Sequence, residues 1–329
     1  MVVDARALLA ARGVARFTRG LLAALAERFD TDEWLAFVPG RAPIAAVHPS
    51  VALVRHRLGG RPLFAAAALA RRPTLAALVG GADVAWLPAP APVAPGAPYV
   101  LTIHDRSWER RPQDFSAYER AWHALARPRA LARGAAAVTA DSHAMATELV
   151  AAWGVRATVV SPGVAALPAR PHPGRYLLYV GAREPRKAVD VLLAAHARAR
   201  AQGLDAELVL VGDGSRRVDD AELAALYAGA LAVIQPSYLE GFGLPPLEAA
   251  AHGTPAVVSD LPCFAETLGD AALRVPPGDA EALADALLRV AGDDALRARL
   301  GAAARERARA YTWERSAVAL HALLAEAAA

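Results

Sequence analysis

Residues 235–248 read Gln-Pro-Ser-Tyr-Leu-Glu-Gly-Phe-Gly-Leu-Pro-Pro-Leu-Glu, and they set two carboxylates, Glu240 and Glu248, around a glycine-rich turn. An apolar run of strand length, residues 231–235, precedes the turn, and Pro245 and Pro246 follow it. Proline suits the first positions of a helix, where a missing N–H costs nothing, so the spacing predicts a strand, a turn and a helix with Glu248 in its first turn. Gly241 and Gly243 carry no Cβ, so a ligand can approach the main-chain N–H groups while the helix N-terminus favours its negative charge. A diphosphate fits that description. The glutamates would repel it, so their natural targets are neutral sugar hydroxyls, and the pattern as a whole points to a sugar diphosphonucleoside. Taken singly, each glutamate reads as a solvated or dipole-complementing residue.

A second cluster follows the apolar run 176–180, where Gly181-Ala-Arg-Glu-Pro-Arg-Lys187 leads into a helical stretch, 189–200. Lys187 is the only lysine of the chain; every other residue among the 36 Lys and Arg is arginine. Asparagine is absent and isoleucine occurs three times, a usage that suggests a GC-rich genome. A chain that otherwise uses guanidinium groups keeps here a compact ammonium on a flexible stem, which suits phosphate oxygens. Exposed lysines are more usually solvating.

In the first half, residues 98–103 run as a strand into His104-Asp105. Strand ends are where open α/β sheets place ligands. A lone histidine there is more often a hydrogen-bonded structural residue than a catalyst. As a catalyst, a neutral imidazole or its backbone would stabilise developing charge, its protonation being open at this level. At the start, Val2-Val-Asp-Ala-Arg6 leads to Arg12-Gly-Val-Ala-Arg-Phe-Thr-Arg19 and a helix-like run, 20–29. One glycine before such a run is usually only a turn, and the Gly-x-Gly-x-x-Gly nucleotide fingerprint is missing there.

Together these segments resemble glycosyltransferase family 4, retaining enzymes of the group 1 type. The carriers are the Glu240-to-Glu248 signature, Gly-x-x-Glu-Pro-Arg-Lys ending at Lys187, Thr-Ile-His-Asp around His104, and a Gly-Ile-Gly-Arg-Tyr-like start in which Ala15 replaces the second glycine. The resemblance implies that Glu240 binds hydroxyls of the transferred hexose, that Gly241, Phe242, Gly243 and Leu244 line the sugar and diphosphate, and that Glu248 holds the donor ribose. Arg186 and Lys187 would neutralise the leaving diphosphate, His104 would lie near the reacting sugar carbon, and Gly13 and Arg16 would approach the diphosphate and acceptor. It further implies transfer of a hexose, mannose among the candidates, from a nucleotide-diphosphate sugar to a hydroxyl of a glycan or lipid-linked acceptor. Neither a metal nor another cofactor is expected.

These residues need a scaffold of two domains, since 329 residues exceed what one core supports and 55% apolar content is ample for two. Strand-like runs at 82–86, 99–103, 136–140 and 158–161 alternate with Ala- and Arg-rich helical stretches, the pattern of parallel sheets. The expected division is a first Rossmann-like domain at 1–165, a Pro-rich linker at 166–174, a second at 175–308, and a terminal helix at 309–329 that packs back on the first. The resemblance makes this the GT-B fold, two doubly wound domains facing a cleft, with acceptor mainly on the first and donor mainly on the second. Tyr311-Thr-Trp-Glu314 resembles the family's terminal segment and reads as packing, and Asp141-Ser142 reads as a helix N-cap.

One departure stands out. After 207–211 and Gly212-Asp-Gly-Ser215, only 216–220 precede the next helix, 221–228, where the family has another helix and strand. Residues 212–230 still exceed the roughly one dozen that a crossover needs. The second domain is thus shortened by about one βα unit. That unit helps wall the nucleotide base in relatives, so its loss leaves open a weakened transferase or an inactive sugar-nucleotide-binding or partner-binding protein; an epimerase of the same fold is a separate alternative.

A formal charge of +3 fits an anionic donor, and the scattered arginines come with no nucleic-acid motif. The single Cys263 excludes an internal disulfide. With no secretory leader or membrane-length apolar run, cytoplasmic residence is the default, and peripheral contact of a basic first-domain face with the inner membrane surface stays open.

Overall fold

The computed structural model describes residues 1–10, 13–57, 59–212, 216 and 218–329. Arg12, Asp213, Gly214, Ser215 and Arg217, quoted in the segments above, lie outside the described residues. The chain divides into two compact units, Met1–Gly163 with Trp313–Ala329, and Val164–Thr312.

Among the described residues, unit 1 is built on a seven-stranded sheet, ordered β3-β2-β1-β4-β5-β6-β7. The strands are β1 (Val2–Asp4), β2 (Trp34–Pro39), β3 (Val51–His56), β4 (Ala85–Leu87), β5 (Tyr99–Ile103), β6 (Ala137–Ala140) and β7 (Thr158–Val159). All their pairings are parallel. Side chains of a strand alternate between faces, and helices cover both faces here, so Val3 enters one buried cluster and Val2 another. Helices α1 (Gly13–Arg28), α2 (Gly60–Ala70), α3 (Leu75–Leu78), α4 (Ser107–Arg110), α5 (Ala117–Ala126), α6 (Pro128–Gly134) and α7 (His143–Trp153) belong to this unit. The first begins at Gly13 rather than near residue 20.

Unit 2 has a five-stranded sheet, ordered β12-β11-β10-β8-β9, from β8 (Tyr176–Val180), β9 (Glu207–Val211), β10 (Ala232–Gln235), β11 (Ala256–Ser259) and β12 (Ala272–Val275), again all parallel. Leu177 and Tyr179 face one buried cluster, Tyr176 and Leu178 the other. The helices are α8 (Val189–Ala201), α9 (Asp220–Gly229), α10 (Leu244–Ala251), α11 (Pro262–Thr267), α12 (Ala280–Gly292) and α13 (Asp294–Ala308). Among the described residues between β9 and β10 lies one helix, α9, in the shortened segment. The last helix, α14 (Trp313–Ala328), returns to unit 1, where Ala317, Leu320 and Leu324 join Leu21 and Leu25 of α1 in one buried cluster. Tyr311 and Trp313 part company at this boundary: Tyr311 packs edge-on against Phe242, and Trp313 against Phe17 and Gly20.

Strand order reverses between β1 and β4 in unit 1 and between β8 and β10 in unit 2. Beyond the carboxyl ends of strands at such a reversal a crevice opens, which is where doubly wound sheets bind ligands.

Candidate active site

The reversal in unit 2 brings two of the sequence segments together. Val180 ends β8, and the chain then makes a tight one-turn helix, Pro185–Lys187, before α8. Gln235 ends the neighbouring β10 and enters the glycine-rich turn. A backbone bond from Tyr238 N–H to the Arg186 carbonyl, 2.8 Å, ties the two loops to each other.

Glu240 is the hub. Its Oε1 accepts Lys187 Nζ at 2.5 Å, Ser237 Oγ at 2.7 Å and Gln235 Nε2 at 3.0 Å. Arg186 spans two carboxylates, 2.9 Å from Glu184 and 3.8 Å from Glu240 Oε2. The side chains of Glu240, Lys187 and Arg186 are 8%, 13% and 16% exposed, so this is a largely buried charge cluster. Burial pushes the Glu240 carboxyl up, but the Lys187 and Arg186 charges and the bonds from Lys187 and Ser237 outweigh it and hold its pKa below the usual carboxylate value. Glu240 is therefore an anion that only accepts hydrogen bonds, as a residue that grips sugar hydroxyls must be. Gln235 and Ser237, which orient it, carried no local signal as site residues, because their role depends on the fold of the turn.

Gly243 caps α10 with φ +90°, and a Cβ there would also run into the Phe264 ring, so glycine is required twice over. Gly241 and Phe242 are buried beside it, and Leu244 opens the helix. Glu248 does not sit in the first helical turn as expected. Helix α10 starts at Leu244 with both prolines in its first turn, which moves Glu248 into the second, where it is buried. Its Oε2 accepts the hydroxyl of Tyr227, a buried residue of α9, at 2.8 Å.

In unit 1, His104 follows β5 and is anchored at both ring nitrogens. Nδ1 donates to Asp141 Oδ2 at 2.7 Å and Nε2 to the Pro88 carbonyl at 2.8 Å. Both partners accept, so both nitrogens carry protons and the ring is an imidazolium. Burial depresses its pKa, while the Asp141 charge and hydrogen bond, the Asp105 charge and the Pro88 carbonyl together carry it above the ordinary value. The charged ring is thus favoured over the neutral imidazole considered from sequence, and both ring nitrogens are engaged by these partners. The edge of the ring meets Phe17 of α1, with centroids 4.8 Å apart. Asp141 is not the cap of α7 either. Ser142 alone accepts the Met145 N–H, and Asp141 reaches back across 37 positions to His104.

Gly13 opens α1 with nothing near the place a Cβ would take, so no steric demand for glycine exists there. Arg16 is half-buried on the same helix. Close by, Arg6 pairs with the buried Asp4 and donates to the carbonyls of Ala89 and Pro90, at 3.3 and 3.0 Å. That staple across the β1/β4 reversal joins two loops and was not legible from the stretch around Asp4.

The profile described as Glycosyltransferase Family 4 matches residues 11–166, and that described as Glycosyl transferases group 1 matches residues 174–293. O-antigen chain mannosyltransferase B of Escherichia coli is 35% identical over 162 residues, 42% of this chain and 42% of its own length. Phosphatidyl-myo-inositol mannosyltransferase of Mycolicibacterium smegmatis is 37% identical over 165 residues, 44% of this chain and 43% of its own. These matches span less than half the length of the curated relatives. Sucrose-phosphate synthase from Thermosynechococcus elongatus superposes with a TM-score of 0.77 at 22% identity, covering 99% of this chain and 98% of that one, a likeness of the two-domain GT-B fold. With both profiles in register with the two units, the chain belongs to glycosyltransferase family 4, of the group 1 type.

Proposed function

We propose that the protein is a retaining hexosyltransferase that takes a nucleotide-diphosphate sugar, with mannose as the hexose, and transfers it to a hydroxyl of a glycan or lipid-linked acceptor. The observation that carries the reading is the Arg186–Lys187–Glu240 cluster at the β8/β10 reversal, where two cations and an ionised carboxylate occupy the loops in which doubly wound sheets bind their ligands. The names of the two mannosyltransferase relatives support the sugar.

In this reading Lys187, with three N–H donors and one spent on Glu240, turns the others to the diphosphate, and Arg186 adds a second charge as that group departs. Side-chain cations then neutralise the charge that develops on the leaving group, and the reading calls for no metal. Glu240 grips hydroxyls of the hexose, Gly241, Phe242, Gly243 and Leu244 line sugar and diphosphate, and Glu248, braced by Tyr227, holds the ribose. Unit 1 contributes His104, whose ring is locked by Asp141 and Pro88, so its contact with the sugar runs through its backbone and the field of its positive charge. Gly13 and Arg16 lie on the acceptor and diphosphate side. The acceptor hydroxyl attacks on the face from which the diphosphate leaves, and the departing oxygen takes its proton.

A thermal-shift panel of GDP-, UDP-, ADP- and dTDP-sugars tests this, because a ligand that binds only the folded state raises its stability. A saturable, selective hit followed by sugar transfer in the presence of a chelator is expected. Saturable binding without turnover toward any acceptor marks a binding protein, and donor turnover without an acceptor an epimerase. Inhibition by the chelator would overturn the metal-independent reading.

A further inference from the structure

Outside the His104 cluster, unit 1 holds a groove of about 680 Å³ among α4, α5 and α6, lined by Trp108, His123 and four arginines, Arg120, Arg127, Arg129 and Arg133. Its one acidic residue, Glu109, is already engaged, since its carboxylate pairs with Arg106 and accepts Trp153 Nε1 at 3.0 and 3.2 Å. None of the four groove arginines has a carboxylate partner among the described residues: Arg120 donates to the Phe115 carbonyl at 2.6 Å and Arg133 to the Trp153 carbonyl at 3.4 Å. Arginines next to the groove are different, with Arg106, Arg110 and Arg111 each matched to Glu109, Glu148 or Asp114.

Two further features make the groove more than a basic face. The His123 ring stacks on Trp108, centroids 4.7 Å and planes 10° apart, and its Nδ1 is buried with no hydrogen-bond partner among the described residues. Burial, with a smaller push from Arg6, depresses its pKa against the opposing Asp105 and Glu119 charges, so the ring is neutral and offers a hydrogen bond rather than a charge. Arg127 joins α5 to α6 in the left-handed region, φ 47° and ψ 57°, immediately before Pro128. Glycine or asparagine would fit that backbone at less cost, yet the position is held by an arginine whose side chain lines the groove.

We propose that this groove binds a phosphoryl group, a phosphomonoester or diphosphate, through Arg127 and Arg129, whose planar guanidiniums match phosphate oxygens in pairs. The chemistry is shared by a soluble phosphorylated ligand and a lipid phosphate, and it stands independently of the transfer reaction.

The test begins with the Arg186→Ala/Lys187→Ala protein, in which the other cationic cluster is silenced, and titrates it calorimetrically with inorganic pyrophosphate. In parallel it is sedimented with phosphatidylcholine vesicles, with or without phosphatidic acid as the minor component. Arg127→Gln/Arg129→Gln on that background should weaken binding about tenfold or more, as loss of charge-assisted bonds does. Saturable pyrophosphate binding sensitive to this change assigns a soluble ligand; phosphatidic-acid-dependent sedimentation with the same sensitivity assigns a lipid phosphate. Absence of binding to both probes overturns the proposal. So does binding that the groove variant leaves unchanged, or that Arg28→Gln/Arg41→Gln, two exposed arginines elsewhere on unit 1, reduces equally. Melting curves of each variant confirm the fold.

Discussion

His104 in unit 1 and Glu240 in unit 2 both follow a strand of a doubly wound sheet, and both are charged groups gripped from several sides, yet their surroundings differ in what they leave available. The imidazolium has spent both N–H groups, one on a carboxylate and one on a carbonyl. The Glu240 cluster holds two cations, and Lys187 has donors beyond the one Glu240 accepts. A closed pair suits a group that must keep its orientation and charge. An open cluster suits a place where charge has to be met on a ligand. The proposed reaction gives unit 2 the leaving-group chemistry and unit 1 the orientation, and each role can be broken separately.

The largest effect is expected from Lys187→Ala, which should lower kcat by about 100- to 1,000-fold, the usual result of removing one preorganised donor from a developing anion. Glu240→Gln, which keeps shape and loses charge, should act in the same range with the protein still folded. A fall of only a few-fold in both would move the leaving-group role elsewhere.

Asp141→Asn comes next and acts on unit 1. It should cost about 1–3 kcal/mol of stability, as a hydrogen bond to a charged group does, and change the pH dependence. Because the His104 pKa is raised in the fold, its contribution is full below 6.5, its ordinary value, and is lost as pH rises through the folded value. The Glu240 pKa is lowered, so its contribution is full above 4.5 and is lost as pH falls through the folded value. Between 4.5 and 6.5 both contributions are complete. Melting scans across pH should show Asp141→Asn flattening the alkaline loss and Glu240→Gln the acid one; the reverse assignment would contradict the comparison. The smallest change is Tyr227→Phe, which removes the hydroxyl that Glu248 Oε2 accepts and should raise the donor KM by a few-fold with kcat nearly unchanged, as expected for loss of one hydrogen bond.

Much of this was legible in the residues. The run Tyr176–Val180 is continuously apolar because both faces of a parallel sheet are covered there, and Glu207–Val211 keeps four apolar residues after an exposed glutamate; both match the folded strands at both ends. Three strands carried no comparable signal. Val51–His56 is a half-exposed edge, Ala272–Val275 is four residues long, and Trp34–Pro39 follows a polar turn that hides its start; pairing with neighbours makes them strands. At the site, the motifs around Lys187 and Glu240 were visible as local patterns. The partnership of Asp141 with His104 was not, because it joins the ends of two adjacent strands far apart in sequence, and Asp141 stands where a helix cap would stand. Glu248 is expected in the first turn because the prolines read as the opening of the helix, whereas the helix opens at Leu244, one residue ahead of them.

The measurement that bears most directly on the account is the affinity of the donor's nucleoside diphosphate and of the matching monophosphate, for the wild type and for Lys187→Ala. If Lys187 meets the diphosphate, the wild type prefers the diphosphate, and the substitution removes that preference while monophosphate binding stays as it was. Equal loss for both nucleotides, or no loss for either, would contradict the assignment of the leaving-group charge to Lys187.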